Sequence, residues 1–294
     1  MDDVPMDTAP DRPALREHVL RELLLAPAGP LARLDVVERT GSTNVDLAAA
    51  LRADPDAWPH PSLLAAEAQD SGRGRAGRTW VTPARSALML SFALRPAAPI
   101  TTYGWLPLLA GLGAVNALRA TVGVPAVLKW PNDVMVPAPD GTDLAGWGPL
   151  RKVGGILTEL VTTPAGPAVV VGIGINVSQT AGELPVPSAT SLALAGGRDV
   201  DREMLLVALV SALAEVTARW SEHGGDVHAA GLVEDVSAVC ATLGTQVRVE
   251  LPGGREVTGT AQRLDREGAL VLVDGGGTEH QVLAGDVHHV RAAR

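Results

Sequence analysis

Gly72-Arg73-Gly74-Arg75-Ala76-Gly77-Arg78-Thr79-Trp80 sets three arginines within six residues and spaces them with glycines. Glycine lets backbone amides come close to an anion, and a guanidinium grips phosphate oxygens bidentately. The stretch lacks the Gly-Lys-Ser/Thr ending of a Walker A loop. Alone, it reads equally well as a phosphate-binding loop, a solvated surface loop or a patch for an acidic protein partner. Its neighbours are apolar runs of strand length, Leu63–Ala68 before it and Ala87–Leu94 after it.

Working outward, residues 12–26 carry Leu15, Val19, Leu20, Leu23 and Leu24 at helical spacing, and Pro27 to Pro30 ends that helix. A strand over Leu34–Glu38 leads to Gly41-Ser42-Thr43-Asn44, where Ser42 or Thr43 can cap a helix through Leu51. A long apolar helix follows over 104–122. Strands are expected at Ala126–Trp130, Asp133–Val136, Val153–Val161 and Ala168–Val177, with helices at 201–222 and 227–242. After Leu243 the texture becomes short strands between glycine-rich turns: Gln246–Leu251, Glu256–Leu264, Ala269–Val273 and Glu279–Leu283. The pattern is α+β: an N-terminal extension with one helix (1–32), a mixed-sheet domain (33–235) and a small β-barrel (236–294).

A net charge of −9 argues against a general nucleic-acid binder, which needs a basic face. Asp2, Asp3 and Asp7 give the N-terminus the wrong charge for a secretory signal. The longest apolar stretch, Trp105–Leu118, contains Pro107 and Asn116 and is too short to span a bilayer. Cys240 is the only cysteine and sits among apolar neighbours, as an inert core residue would. Neither nucleic acid nor membrane is expected as a partner, and the expected location is the cytoplasm. The seven histidines are scattered without metal-ligand spacing.

Of 24 cationic residues only two are lysine, Lys129 and Lys152. In a chain that otherwise uses arginine, they are candidates for places that need a compact ammonium. Lys129 opens Lys129-Trp130-Pro131-Asn132-Asp133, where the lysine can balance a carboxylate and a phosphate at once. Asp133 can orient that lysine or help to hold magnesium. A strand-to-strand turn with a surface ion pair is the plainer reading. Gly172-Ile173-Gly174-Ile175-Asn176 lacks the third glycine of a dinucleotide fingerprint, and close strand packing explains its glycines as well. Asn176 carries an amide that can pair with adenine.

Ser42-Thr43-Asn44, Gln69 before the arginine loop, Lys129 to Asp133, Lys152-Val153-Gly154-Gly155-Ile156-Leu157 and Gly172 to Asn176 together resemble the biotin protein ligases. The resemblance covers residues 33–225, and the β-rich tail looks like the family's SH3-like C-terminal domain. It implies ATP-dependent activation of biotin to biotinyl-5′-AMP, with magnesium, and transfer to a lysine of a biotin carboxyl carrier domain. It implies catalytic roles for Lys129, Arg73 and Asp133, the last also a magnesium ligand. Biotin would meet Ser42, Thr43, Asn44, Gln69, Gly72, Arg73, Gly74, Arg75, Lys129, Gly154 and Gly155. The adenylate would meet Arg73, Arg75, Arg78, Trp80, Lys129, Asn132 and Asn176. Lys129→Arg is accordingly expected to fold yet lose most adenylation, and the arginine loop to be mobile when empty. Only about 30 residues precede the catalytic region, too few for the winged-helix domain of the family's repressor members. The excursion at 137–150 is longer than its turn needs. Lipoate–protein ligases share this logic, but the arginine loop and Lys129 to Asp133 together favour biotin.

Overall fold

A computed structural model describes residues 12–289 apart from 199, 252–253 and 284. The acidic start with Asp2, Asp3 and Asp7, and residues 290–294 of the expected barrel, lie outside the described residues.

The larger unit is built on a seven-stranded mixed sheet. Its strands are β1 (Arg33–Val37), β2 (Ser62–Ala66), β5 (Ala87–Leu94), β6 (Val127–Lys129), β7 (Asp133–Pro137), β8 (Leu150–Thr163) and β9 (Gly166–Asn176). Two-residue strands β3 (Gly72–Arg73) and β4 (Thr79–Trp80) form a separate hairpin within the arginine loop. The sheet order is β1-β2-β5-β9-β8-β7-β6, with β1 and β2 parallel and every other pair antiparallel. All eight residues of β5 are buried, which is why it reads as an unbroken apolar run.

One face of the sheet is covered by α3 (Leu106–Val122), α4 (Arg202–Glu222) and α5 (Leu232–Val239); α2 (Thr43–Ala53) covers the other. A Cβ on Gly113 would stand 3.3 Å from the Leu213 backbone, so glycine there lets α3 and α4 cross closely. Asp201 caps α4 by accepting from the Glu203 and Met204 amides.

The first helix is α1 (Glu17–Leu24), shorter than expected because residues 12–16 run over the sheet end as a strap. There the Leu15 amide donates to Glu67 at 2.5 Å, and Arg202 donates to the Pro13 carbonyl at 2.6 Å. Glu67 and Arg202 form an ion pair at 2.8 Å with side chains only 3% and 8% exposed. The helix expected over 227–242 is also shorter, because Gly231 turns left-handed (φ 65°) just before α5. The boundary placed at 235/236 falls inside α5.

The tail is a five-stranded antiparallel sheet, ordered β13-β12-β11-β10-β14 and consistent with a small SH3-like domain. It comprises β10 (Gln246–Glu250), β11 (Glu256–Leu264), β12 (Leu270–Val273), β13 (Glu279–Val282) and β14 (Asp286–His289). β14 has no counterpart in the sequence reading, since four residues with two histidines carry little strand signal. Two tryptophans fasten the units: the Trp105 indole donates to the Arg266 carbonyl and the Trp130 indole to the Gly268 carbonyl, both at 3.0 Å. Apolar side chains of both units form one continuous core.

Candidate active site

The register of the sheet lays out the site. Met89, Gly174, Gly155, Asp133 and Lys129 stand directly opposite one another on five successive strands, so they share one face. Two rows on that face matter. In the first, two glycines leave a hollow, and Trp80 lies over it: a Cβ on Gly174 would stand 2.7 Å from the indole. In the second, Leu157, Gly172 and Ser91 are opposed, and Gly172 makes room for α2. A Cβ on Gly172 would stand 2.1 Å from Asn44 Oδ1.

The start of α2 is fixed by polar contacts with this floor. Ser91 donates to Thr43 Oγ1 at 2.7 Å or to Asn44 Oδ1 at 2.6 Å, and Asn44 Nδ2 donates to Glu159 at 2.8 Å and to the Leu157 carbonyl. Gln69 Oε1 accepts from the Thr43 amide at 2.8 Å and from its hydroxyl at 3.1 Å. A Cβ on Gly72 would meet the Trp80 carbonyl at 2.4 Å, so glycine there permits the loop to close against its own end. Ser42 is the N-cap residue of α2 and lines the same cleft.

Within the loop each of two arginines has its own acceptor. Arg75 donates to Asn132 Oδ1 at 2.9 Å, while Asn132 Nδ2 donates to the Ile156 carbonyl at 2.7 Å. Burial pulls the Arg75 pKa below its ordinary value, with Asp133 opposing. Arg78 pairs with Asp286 of the C-terminal unit. The loop is a hairpin whose Arg75 and Arg78 are held by Asn132 and Asp286.

The two lysines have different fates. Lys152 lines the cleft, and its ammonium donates to Asp133 Oδ1 at 2.5 Å and stands 5.9 Å from the centre of the Trp80 ring. Simple alternation from Gly155 would turn Lys152 to the opposite face. A β-bulge pairs Val134 with Gly154 but Met135 with Lys152, so the alternation slips by one and Lys152 comes back over Asp133. Lys129, by contrast, does not line the cleft; it lies two strands beyond Gly155, 4% exposed, beneath Trp147.

Ser42, Thr43, Asn44, Gln69, Arg73, Gly74, Arg75, Arg78, Trp80, Asn132 and Gly155 are brought together around the cleft. Asp133 reaches it through Lys152, and Gly72 shapes the loop. Gly154 and Asn176 are turned elsewhere. A Cβ on Gly154 would meet the Ile175 side chain at 2.5 Å on the core-facing side. The Asn176 amide is spent within the protein, donating to the Thr190 carbonyl at 2.9 Å and accepting from Gln179 at 3.0 Å. Sequence reasoning singled out Lys152 for its rarity but gave it no role in the site. It also left Gly172 and Gly174 to packing, although their spacing of two places both on one face.

The region 36–176 matches the Biotin/lipoate A/B protein ligase family, and 242–290 matches the Biotin protein ligase C terminal domain. Over 284 residues the chain is 40% identical to the Biotin--[acetyl-CoA-carboxylase] ligase of Mycobacterium tuberculosis, covering 95% of this chain and 97% of that one. The chain belongs to the biotin protein ligase family. This ligase is also 32% identical to the Biotin--[acetyl-CoA-carboxylase] ligase of Paracoccus denitrificans, over 81% of its own length and 92% of the relative's. In fold it is similar to the biotin protein ligase from Aquifex aeolicus solved in complex with biotin and ATP. That likeness has a TM-score of 0.68 and 28% identity, covering 88% of the ligase and 99% of that chain.

Proposed function

We propose that the cleft joins the carboxylate of biotin to the α-phosphate of ATP, and then passes the biotinyl group to a lysine of a biotin carboxyl carrier domain. The observation that carries this reading is the Lys152–Asp133 pair, held over a glycine floor and faced by the arginine loop. ATP-dependent biotinylation is the reaction of the family to which the chain belongs.

In the first step a carboxylate oxygen attacks the α-phosphorus and pyrophosphate leaves. Two anions must approach, and negative charge grows on the leaving oxygen. The Lys152 ammonium neutralises the carboxylate and the α-phosphate together, because its compact head reaches both while Asp133 fixes its position. Arg73, exposed on the loop, closes over the same oxygens. Ser42, Thr43 and Gln69 receive the ureido ring, the two hydroxyls and the amide supplying both donors and acceptors. Asn44 holds α2 in place beneath them. Trp80 and Asn132 wall the nucleotide side, and Arg75 reaches the phosphate from its seat on Asn132.

In the second step the acceptor lysine attacks the mixed anhydride and AMP leaves. The cations that stabilised the first transition state stabilise the departing phosphate in the second. Magnesium neutralises the triphosphate when bound. Asp133 would hold it through the carboxylate oxygen not given to Lys152. The buried, unpaired Cys240 and the need for ATP suit a cytoplasmic enzyme.

Pyrophosphate release with ATP, magnesium and either biotin or lipoate, before any carrier is added, tests the reading. Biotin-dependent release is expected. Release with lipoate alone would move the substrate, and silence with both would overturn the proposal.

A further inference from the structure

On the face of the sheet that carries α4 lies a second cavity, of about 250 Å³, which shares no lining residue with the cleft. Ser91 of β5 turns towards α2, so Phe92 and Leu94 turn the other way, into this cavity. With Leu31, Val210, Leu213 and Trp220 they make a floor in which every residue is 3% exposed or less. Where α4 could fill the space it carries Ala214 and Ala218. Apolar cavities of about 150 Å³ already bind benzene, so this volume is large enough for a ligand.

Its shape selects a chain. The lining runs from Val210 to Ser221 of α4, about 16 Å of helix at the usual rise per residue. A volume of about 250 Å³ drawn out over that length is a narrow slot. One end is polar. The Tyr103 hydroxyl donates to the Pro96 carbonyl at 3.0 Å while its ring meets Trp220 edge-on, ring centres 6.1 Å apart, so Pro96 and Trp220 stand together. Arg95, beside Pro96, donates its amide to His60 Nδ1 at 3.3 Å, and Ser221 follows Trp220, so His60 and Ser221 belong to that end. Among the described residues no acid lines the slot. Arg95 spends Nη2 on the neutral carbonyls of Pro55 and Trp58, and its buried Nε has no acceptor among the described residues. Burial lowers the His60 pKa most, and the Arg95 charge adds to that.

We propose that this slot binds a medium-chain aliphatic carboxylate. The chain lies along α4 against Phe92, Leu94 and Leu213, and the carboxylate meets His60 and Ser221 in the field of Arg95. Pro30, Pro61 and Pro96 line the slot from three separate turns. Proline side chains lose almost no freedom on ordering, which favours a site already formed when the ligand arrives. The site is independent of the reaction in the cleft.

The test is calorimetric titration of the chain with hexanoate, octanoate and 1-octanol, each below the concentration at which it aggregates. Octanoate is expected to bind about fifteenfold tighter than hexanoate, about fourfold for each added methylene. Octanol is expected to bind about tenfold more weakly than octanoate, the size of one charge-assisted contact. His60→Ala is expected to narrow that preference. Ala214→Leu puts a side chain into the slot and is expected to abolish octanoate binding, with thermal melts checking that the variant folds. Ala218→Leu is the second filling variant, one turn further along α4. No octanoate binding to the unaltered chain, or binding unmoved in both filling variants, overturns the site. Equal affinities for octanoate and octanol overturn the carboxylate. Sedimentation is run alongside, and self-association that Ala214→Leu abolishes assigns the face to a second copy of the chain and overturns the proposal.

Discussion

The indole of Trp80 rests on Gly174 so closely that a single methyl group added to the strand would stand 2.7 Å from the ring. The cleft therefore depends on a residue that contributes no side chain. Gly174→Ala is expected to fold, with an overpacking cost of about 1–3 kcal/mol. It should lower biotin-dependent pyrophosphate release at least tenfold, about 1.4 kcal/mol in the barrier, because the ring is pushed into the substrate volume. Parallel thermal melts and turnover measurements check this; full turnover would mean that the indole is free to move aside.

Lys152 is the cation expected to matter most for the chemistry. Lys152→Gln should cost about 10²–10³ in turnover, the loss typical of one preorganised charge at a transition state. Lys152→Arg should not restore it, because a planar fork cannot take the same seat over Asp133. The side chain is 26% exposed, so the melting temperature should hardly change. Single-turnover adenylation at saturating biotin and ATP separates the two effects. Activity near that of the unaltered chain would remove Lys152 from the mechanism.

The strap is held by a buried ion pair. Arg202→Met leaves the Glu67 carboxylate buried without its cation, and destabilisation of about 3–5 kcal/mol is expected. Adding Glu67→Gln should recover part of the loss. Urea denaturation of the two variants decides it, and a single variant as stable as the double one would show that the charge is not trapped.

A second strap contact sets an acid limb. The Arg12 guanidinium donates to Glu183 at 2.6 Å and, with the Thr180 amide, holds that carboxyl down to about 2 from an ordinary value of 4.5. A lowered carboxyl pKa contributes stability that is complete above 4.5 and lost as pH falls through about 2. The stability gap between the unaltered chain and Arg12→Ala should thus be flat from pH 7 to about 5 and close between pH 4.5 and 2. Its size should be about 1 kcal/mol at most, because the pair is partly solvated. Melting temperatures across that range read it directly, and a gap that persists at pH 2 would place the effect elsewhere.

Much of this was legible in the chain itself. The buried run Ala87–Leu94 reads as a core strand because local composition and length suffice for that inference. The motifs from Ser42 to Asn176 named the family, since their order is a property of the sequence. Local pattern was less able to mark ends. The helix at 12–26 lost its first turn to a contact with Glu67, more than fifty residues away, and the one at 227–242 lost its first turn to the backbone of Gly231.

What the sequence determined alone was the order of elements, the set of chemical groups and their family. Which of two rare lysines lines the cleft was decided only by tertiary structure. A one-residue bulge opposite Met135 turns Lys152 into the cleft. Cross-strand register places Lys129 two strands out, beneath an indole from an excursion whose role the sequence left open. Side-chain facing alternates with every residue, so one slip in pairing reverses it, and pairing is fixed by partners far away in the chain.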